Sequence, residues 1–146
     1  MYHYTECGLS YVYLVNGFQV EIIDGEEYVS IEAVDGLHDL IAEMIVKKRH
    51  AMIGEEVKFL RLEMNMSQKS LAELLGIGVQ TVARWEKGHN PIGRTEDATM
   101  RTLYMESRDK KSQLGFVLKL LSDCDAIETQ QRLEVRSENS RWVAEV

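Results

Sequence analysis

Residues 67–88 read SQKSLAELLGIGVQTVARWEKG, a stretch that predicts two short helices joined by a tight turn. Ser67 precedes the first helical period, where a serine hydroxyl can accept a hydrogen bond from a free backbone amide. Gly76 follows the last apolar residue of that period, and glycine readily takes the left-handed conformation that ends a helix. We therefore expect one helix over residues 68–75 and another over residues 79–87.

The apolar spacing in this stretch separates an inward side from an outward side. Ala72 is small at the point where the two helices must cross closely. A period of about 3.6 residues places Gln80, Thr81 and Arg84 together on the outward side of the second helix. The residues expected to face the core are Leu71, Leu75, Ile77 and Val82.

The N-terminal part of the chain carries the alternating pattern of β-strands. Asn16-Gly17 lies between two β-prone runs, and an Asn-Gly pair is the strongest short-range signal for a hairpin turn. Asp24-Gly25 offers a second turn. We expect a small antiparallel sheet with strands at residues 11–15, 18–23 and 28–31.

Helical periods occur on both sides of the central stretch. The predicted helices span residues 34–49, 55–64, 94–106 and 114–121, and a terminal hairpin is expected from residues 132–136 and 141–146. The first of these helices has an apolar face made of Leu37, Leu40, Ile41, Met44 and Ile45. The apolar residues from Phe116 to Leu121 fit either a core or a subunit interface, and a symmetric operator-binding protein favours the interface.

The predicted fold class is α+β. Residues 1–53 are expected to form a small antiparallel sheet with one helix, and residues 54–106 an all-helical bundle. Residues 107–146 are expected to add a helix and a hairpin that take part in dimerisation.

Composition limits the classes of function. The 146 residues contain no apolar run that approaches the roughly 18 residues of a membrane helix, and the N-terminus lacks the features of a secretion signal. We therefore expect a cytoplasmic protein. Cys7 and Cys124 have no nearby cysteine partner, so we expect neither a disulfide scaffold nor a metal site. No cofactor is expected either. Cys7, His38 and Asp35 imitate a nucleophile, base and orienting acid, but no accompanying motif supports an enzyme.

The net charge of −7 opposes a nucleic-acid partner, because phosphate contacts need cations. The distribution of the charge weakens this objection. Residues 1–53 hold nine acidic and three basic residues, whereas residues 54–106 hold eight acidic and seven basic residues. The acidity therefore lies mainly outside the predicted bundle.

The central stretch resembles the Xre and lambda-repressor type of helix-turn-helix family over residues 55–106. Ala72, Gly76 and the closing residues 85–88 (Trp-Glu-Lys-Gly) fall in the family's order and spacing. Gly78 departs from it, since the family often has a capping Ser or Thr there, and Val79 is apolar where a polar residue is common. The resemblance implies a DNA-binding regulator whose second helix of the pair enters the major groove.

Particular residues acquire roles from this resemblance. It implies base contacts from Val79, Gln80, Thr81 and Arg84, and phosphate contacts from Gln68, Lys69, Lys87 and His89. Gln68 also lies at a helix N-terminus, where free amides favour a phosphate. Gly76 supplies the turn, and the resemblance implies a structural ion pair between Arg61 and Glu86.

The flanking residues carry a second resemblance. Residues 2–9 (YHYTECGL), 13–17 (YLVNG) and 35–38 (DGLH) resemble MqsA-type antitoxins and related regulators. This resemblance implies an acidic N-terminal part that holds a basic toxin while the helix-turn-helix represses the operon. Those antitoxins carry paired Cys-x-x-Cys motifs for zinc, but this region has only Cys7, so no zinc is expected.

Together these patterns predict a sequence-specific double-stranded DNA-binding transcriptional regulator, acting as a repressor and as a homodimer on a two-fold operator. The alternative is a protein-interaction module that binds a basic partner without reading DNA.

Overall fold

The structure, a computed structural model, describes residues 1–109 and 132–144. The helices are α1 (Val34–Lys47), α2 (Gly54–Glu63), α3 (Gln68–Leu75), α4 (Val79–Glu86) and α5 (Arg94–Arg108). The strands are β1 (Tyr2–His3), β2 (Tyr13–Leu14), β3 (Phe18–Ile23), β4 (Glu26–Ile31), β5 (Val135–Glu138) and β6 (Arg141–Ala144). They form three antiparallel pairs, β1 with β2, β3 with β4, and β5 with β6. The predicted α+β class is confirmed.

The helices α2 to α5 begin and end within two residues of the predicted bounds, because local signals set their ends. The Ser67 hydroxyl accepts from the Ser70 amide at 3.0 Å and caps α3. Gly76 ends α3 in the left-handed conformation, with φ of 70°. The chain therefore turns sharply from α3 into α4.

A continuous apolar core joins α1 to the helices that follow it. Its buried members come from the N-terminal segment, from the helices α1 to α5 and from the segments between these helices, and include Leu9, Ala42, Ile45, Met52, Val57, Leu60, Leu71, Val82, Trp85 and Met100. Leu75 and Ile77, which were also predicted to face inward, are half-buried and pack against it. The domain boundaries at residues 53 and 106 stay a prediction.

The predicted hairpin at Asn16-Gly17 is wrong. Gly17 has a positive φ but Asn16 does not, whereas Asp24 and Gly25 both have positive φ. A two-residue type I′ turn needs positive φ at both central residues, so the hairpin forms at Asp24-Gly25 instead. It pairs β3 with β4, while β2 pairs with β1. The expected third strand is thus the second strand of this hairpin.

The predicted apolar face of α1 is also only partly buried. Ile41 and Ile45 are in the core, but Leu40 is 54% exposed and Met44 is 64% exposed. Both line a cleft of about 470 Å³ between residues 11–14 and α1. The short β1–β2 pair therefore leaves one side of the helix open.

The helix α1 ends at Lys47 rather than at the predicted Arg49. Lys48 has an extended backbone, and Arg101 of α5 donates to the carbonyl oxygens of Lys48 and His50. Asp97 accepts from Arg101 Nε at 2.6 Å and from the Met52 amide at 2.8 Å. This cluster draws the chain away from the helical path and fastens the segment after α1 to α5.

The C-terminal predictions have different outcomes. The expected terminal hairpin is confirmed as β5–β6, with positive φ at Asn139 and Ser140 in its turn. The predicted helix at residues 114–121, with the stripe from Phe116 to Leu121, lies outside the described residues. Within the described residues, no helix is long and apolar enough to span a membrane.

Candidate nucleic-acid interface

The helix α4 has one buried side and one exposed side. Val82 and Trp85 are buried in the core. Gln80 and Arg84 are exposed, Val79 is exposed at the helix start, and Thr81 is half-buried beside them. All four predicted base-contacting residues therefore lie on or beside the outward surface, and the rest of the described chain does not bury Gln80 or Arg84.

The start of α4 leaves backbone donors available. Gly78 is the N-cap residue, in an extended conformation, and it provides no side-chain cap. The first amides of a helix have no partner within the helix, and the dipole there favours an anion. The glycine that departs from the family pattern thus leaves this helix end uncapped and accessible.

An ion pair anchors the other end of α4 to α2. Arg61 Nε donates to Glu86 Oε2 at 2.7 Å, and a second guanidinium nitrogen donates to Glu86 Oε1 at 2.9 Å. Both side chains are at least nine-tenths buried. Arg61 also donates to the Met66 carbonyl at 2.9 Å. Such a two-point pair sets the orientation of the helix as well as its position.

Gln68 is connected to the same carboxylate. Its Nε2 donates to Glu86 Oε1 at 3.1 Å, so Glu86 links α2, α3 and α4. This bond uses one N–H of the Gln68 side-chain amide. The other N–H and the amide oxygen take no part in it. The remaining residues predicted to contact phosphates are all exposed. Lys69 lies at the start of α3, and Lys87 and His89 follow the end of α4.

A close backbone contact further restrains α4. The α-carbon of Gly54, at the start of α2, approaches the end of α4 so closely that a Cβ there would overlap the carbonyl oxygen of Trp85. Glycine is the residue that permits such an approach. The orientation of the exposed side of α4 therefore depends on packing at its buried side.

A family model described as Helix-turn-helix matches residues 57–95, from the first turn of α2 to the start of α5. These residues form a helix-turn-helix domain of the Xre and lambda-repressor type. The helices α3 and α4 are its two-helix unit, and the domain is that of a DNA-binding regulator family. Neither the curated proteins nor the solved structures gave a match to the chain.

The sequence patterns do not reveal the role of Glu56, a buried carboxylate that attaches the N-terminal segment to the helix-turn-helix domain. Glu56 is 1% exposed and accepts from Tyr11 Oη at 2.5 Å, Lys48 Nζ at 2.8 Å and the Ile53 amide at 2.9 Å. The local signal is the position of Glu56, three residues after Ile53, which precedes α2. A glutamate at this position forms the second half of a capping box. Its partners Tyr11 and Lys48 could not be found from spacing.

The groups considered for catalysis have other partners. His38 lies between Glu63, 3.0 Å from Nδ1, and the Tyr4 hydroxyl, 2.8 Å from Nε2. The Cys7 thiol donates to the Tyr4 carbonyl at 3.7 Å, and burial raises the pKa of this thiol. Over residues 1–109 and 132–144, no three acidic, histidine or cysteine side chains are grouped as metal ligands would be. The functional indication that the comparisons give comes from the helix-turn-helix domain.

Proposed function

We propose that this protein is a sequence-specific transcriptional repressor that binds duplex DNA with the exposed side of α4. The observation that carries the proposal is the exposure of Gln80 and Arg84 on a helix whose opposite side is held in the core of a helix-turn-helix domain. A helix presented in this way fits the major groove, where base edges differ in their donors and acceptors.

The exposed side chains have the chemistry for this task. The Arg84 guanidinium can donate two hydrogen bonds to guanine, and the Gln80 amide can pair with adenine. Val79 and the Thr81 methyl group can contact a thymine methyl. Cations from Lys69 and Lys87, with His89 and the free amides of α3 and α4, are suited to phosphates.

We further propose that the protein acts as a homodimer. One domain of this size contacts only a short half-site, and residues 54–106 carry nearly balanced charge, which limits the affinity of a single copy. Two copies on half-sites about one helical turn apart would double the readout.

The decisive experiment compares two alanine variants on a selected operator and on random duplex. Arg84→Ala should cost about 1–3 kcal/mol on the operator and much less on random DNA, because it removes a base contact. Lys87→Ala should weaken binding to both duplexes similarly, because it removes a phosphate contact. Fluorescence anisotropy at two salt concentrations measures both effects.

A matched control for charge is Lys47→Ala, which removes an exposed cation of α1 outside the helix-turn-helix domain. It should leave both affinities nearly unchanged. Equal losses on operator and random DNA for Arg84→Ala would refute its role in sequence reading.

The second candidate function is binding of a basic protein, as in the antitoxin of a type II toxin–antitoxin pair. It is favoured by the charge of residues 16–33, which contain five acidic residues and no Lys or Arg. Co-expression with the product of the neighbouring reading frame tests the antitoxin role. If the neighbouring product arrests growth and this chain relieves the arrest, the antitoxin role is supported. If this chain does not relieve the arrest, or if the neighbouring product causes none, the role is opposed.

A further inference from the structure

The hairpin formed by β3 and β4 has an apolar side that the described chain leaves largely uncovered. The pairs Phe18↔Ile31 and Val20↔Val29 place four apolar side chains on one face, and Ile22 extends it. Phe18 contacts the Tyr2 ring, but Val20 is 47% exposed and Ile22 is 76% exposed. Exposed apolar residues in a contiguous row indicate a surface for a partner.

The same hairpin has a free backbone edge along β3. The Glu32 amide donates to the Gly17 carbonyl at 2.9 Å, and hydrogen-bonded and non-bonded pairs alternate in an antiparallel ladder. The backbone groups of Phe18, Val20 and Ile22 therefore point away from β4. Within residues 1–109 and 132–144, no other strand pairs with this edge. An open edge of this kind can accept an added strand.

Charge selects the kind of partner. Glu21 and Glu26 share the face opposite Val20, Glu27 lies beside Ile22, and Asp24 and Glu32 flank the strands, with no Lys or Arg in residues 16–33. Such a surface repels nucleic acid and anionic lipid. It also repels a second copy of itself, whose edge carries the same carboxylates. A basic protein segment that also carries apolar side chains complements both the acidic residues and the apolar row.

We propose that the outer edge of β3 docks an extended segment of a basic partner protein. The added strand lays apolar side chains beside Val20 and Ile22, and it places Lys or Arg on the face of Glu21, in the two-residue alternation of a strand. This inference rests on the proposed binding of a basic protein, and it does not require that α4 reads DNA.

The probe for this site is a synthetic peptide of about ten residues that alternates lysine and valine. We expect saturable binding to the full chain by fluorescence anisotropy, with slowed amide exchange at Val20 and Ile22 by NMR. Peptides that alternate glutamate with valine, or lysine with serine, should bind at least tenfold more weakly, because each lacks one of the two required features.

Two proline variants form a matched pair, because each removes the outward N–H of one strand and spares the bonds between β3 and β4. Val20→Pro should weaken peptide binding roughly tenfold or more, whereas Val29→Pro should change it by less than about threefold. Glu21→Gln should weaken it more than Glu43→Gln, which removes an exposed carboxylate of α1.

Several results would overturn the proposal. These are equal effects of the two proline variants, amide protection confined to β4 or to the cleft beside α1, and no saturable binding. Loss of self-association in Val20→Pro, measured by sedimentation, would instead make this edge a contact between copies. Operator affinity, measured in the same variants, should stay at the wild-type level. A failure of peptide binding is thereby distinguished from a failure of DNA reading.

Discussion

Glu56 shows how one buried side chain can connect two parts of the fold. Burial alone would raise the pKa of this carboxyl, but hydrogen bonds from Lys48, Tyr11 and the Ile53 amide outweigh burial and hold the pKa below its ordinary value. Burial, together with the hydrogen bond to Glu56, raises the pKa of the Tyr11 hydroxyl. Glu56 therefore stabilises the fold as a carboxylate, and the N-terminal segment depends on that charge.

Glu56→Gln should reduce the free energy of unfolding by about 1–3 kcal/mol at neutral pH, because the amide cannot serve all three donors as the carboxylate does. The folded-state pKa lies below the ordinary value, so the contribution of the charge is present above about pH 4.5 and is lost as pH falls through the folded-state pKa. Urea unfolding at pH 7 and at about pH 3 measures the difference.

The difference in the free energy of unfolding between wild type and Glu56→Gln should be smaller at about pH 3 than at pH 7. The control is Glu43→Gln, an exposed change on α1 that should alter stability little at either pH. A difference of the same size at both pH values would contradict the role given to the charge.

The orientation of α4 is a property of several elements together. Arg61 holds Glu86 from α2, Gln68 reaches the same carboxylate from α3, and Gly54 lies against the Trp85 carbonyl. No contact of this group lies on the exposed side of α4. Changes at the buried side should therefore alter DNA reading without touching a base-contacting residue.

Gly54→Ala should destabilise the domain by about 1–3 kcal/mol and weaken operator binding, because the added methyl group displaces the end of α4. Gly36→Ala is the matched control, since Gly36 lies within α1 with open space at its Cβ position. It should stabilise the protein by about 0.5–1 kcal/mol through lower chain entropy. Thermal unfolding and operator titration measure both variants, and equal stability of the two would disprove the tight approach.

At the scale of the whole molecule, charge is separated along the chain. The acidic residues of the β3–β4 hairpin lie in the N-terminal part, while the cations suited to phosphates, Lys69 and Lys87, lie in the helix-turn-helix domain. This separation allows one chain to approach DNA with one part and a basic protein with another. The proposed homodimer would carry two such sets.

The dimer proposal predicts two chains per operator by analytical ultracentrifugation. Inserting about five base pairs between the half-sites should lower the affinity to that of a single half-site, because it moves one half-site to the opposite side of the duplex. Inserting about ten base pairs serves as the control, since it returns both half-sites to the same side of the duplex. Unchanged affinity after the shorter insertion would argue for binding as independent monomers.

The helices of the DNA-binding unit could be predicted because their signals are local. Ser67 caps α3 and Gly76 ends it through interactions within a few residues, and the period of Leu71 and Val82 marks the buried side. The outward location of Gln80 and Arg84 follows from the same period. Local order of this kind is determined by the sequence alone.

Tertiary structure decided the features that depend on distant residues. Asn16-Gly17 and Asp24-Gly25 both suit a hairpin turn, and the choice between them followed from the pairing of Tyr13–Leu14 with Tyr2–His3. Likewise Glu56 meets Tyr11 across 45 positions, and Arg101 reaches the carbonyl of His50. Local preference leaves such alternatives nearly equal in free energy, so only long-range packing distinguishes between them.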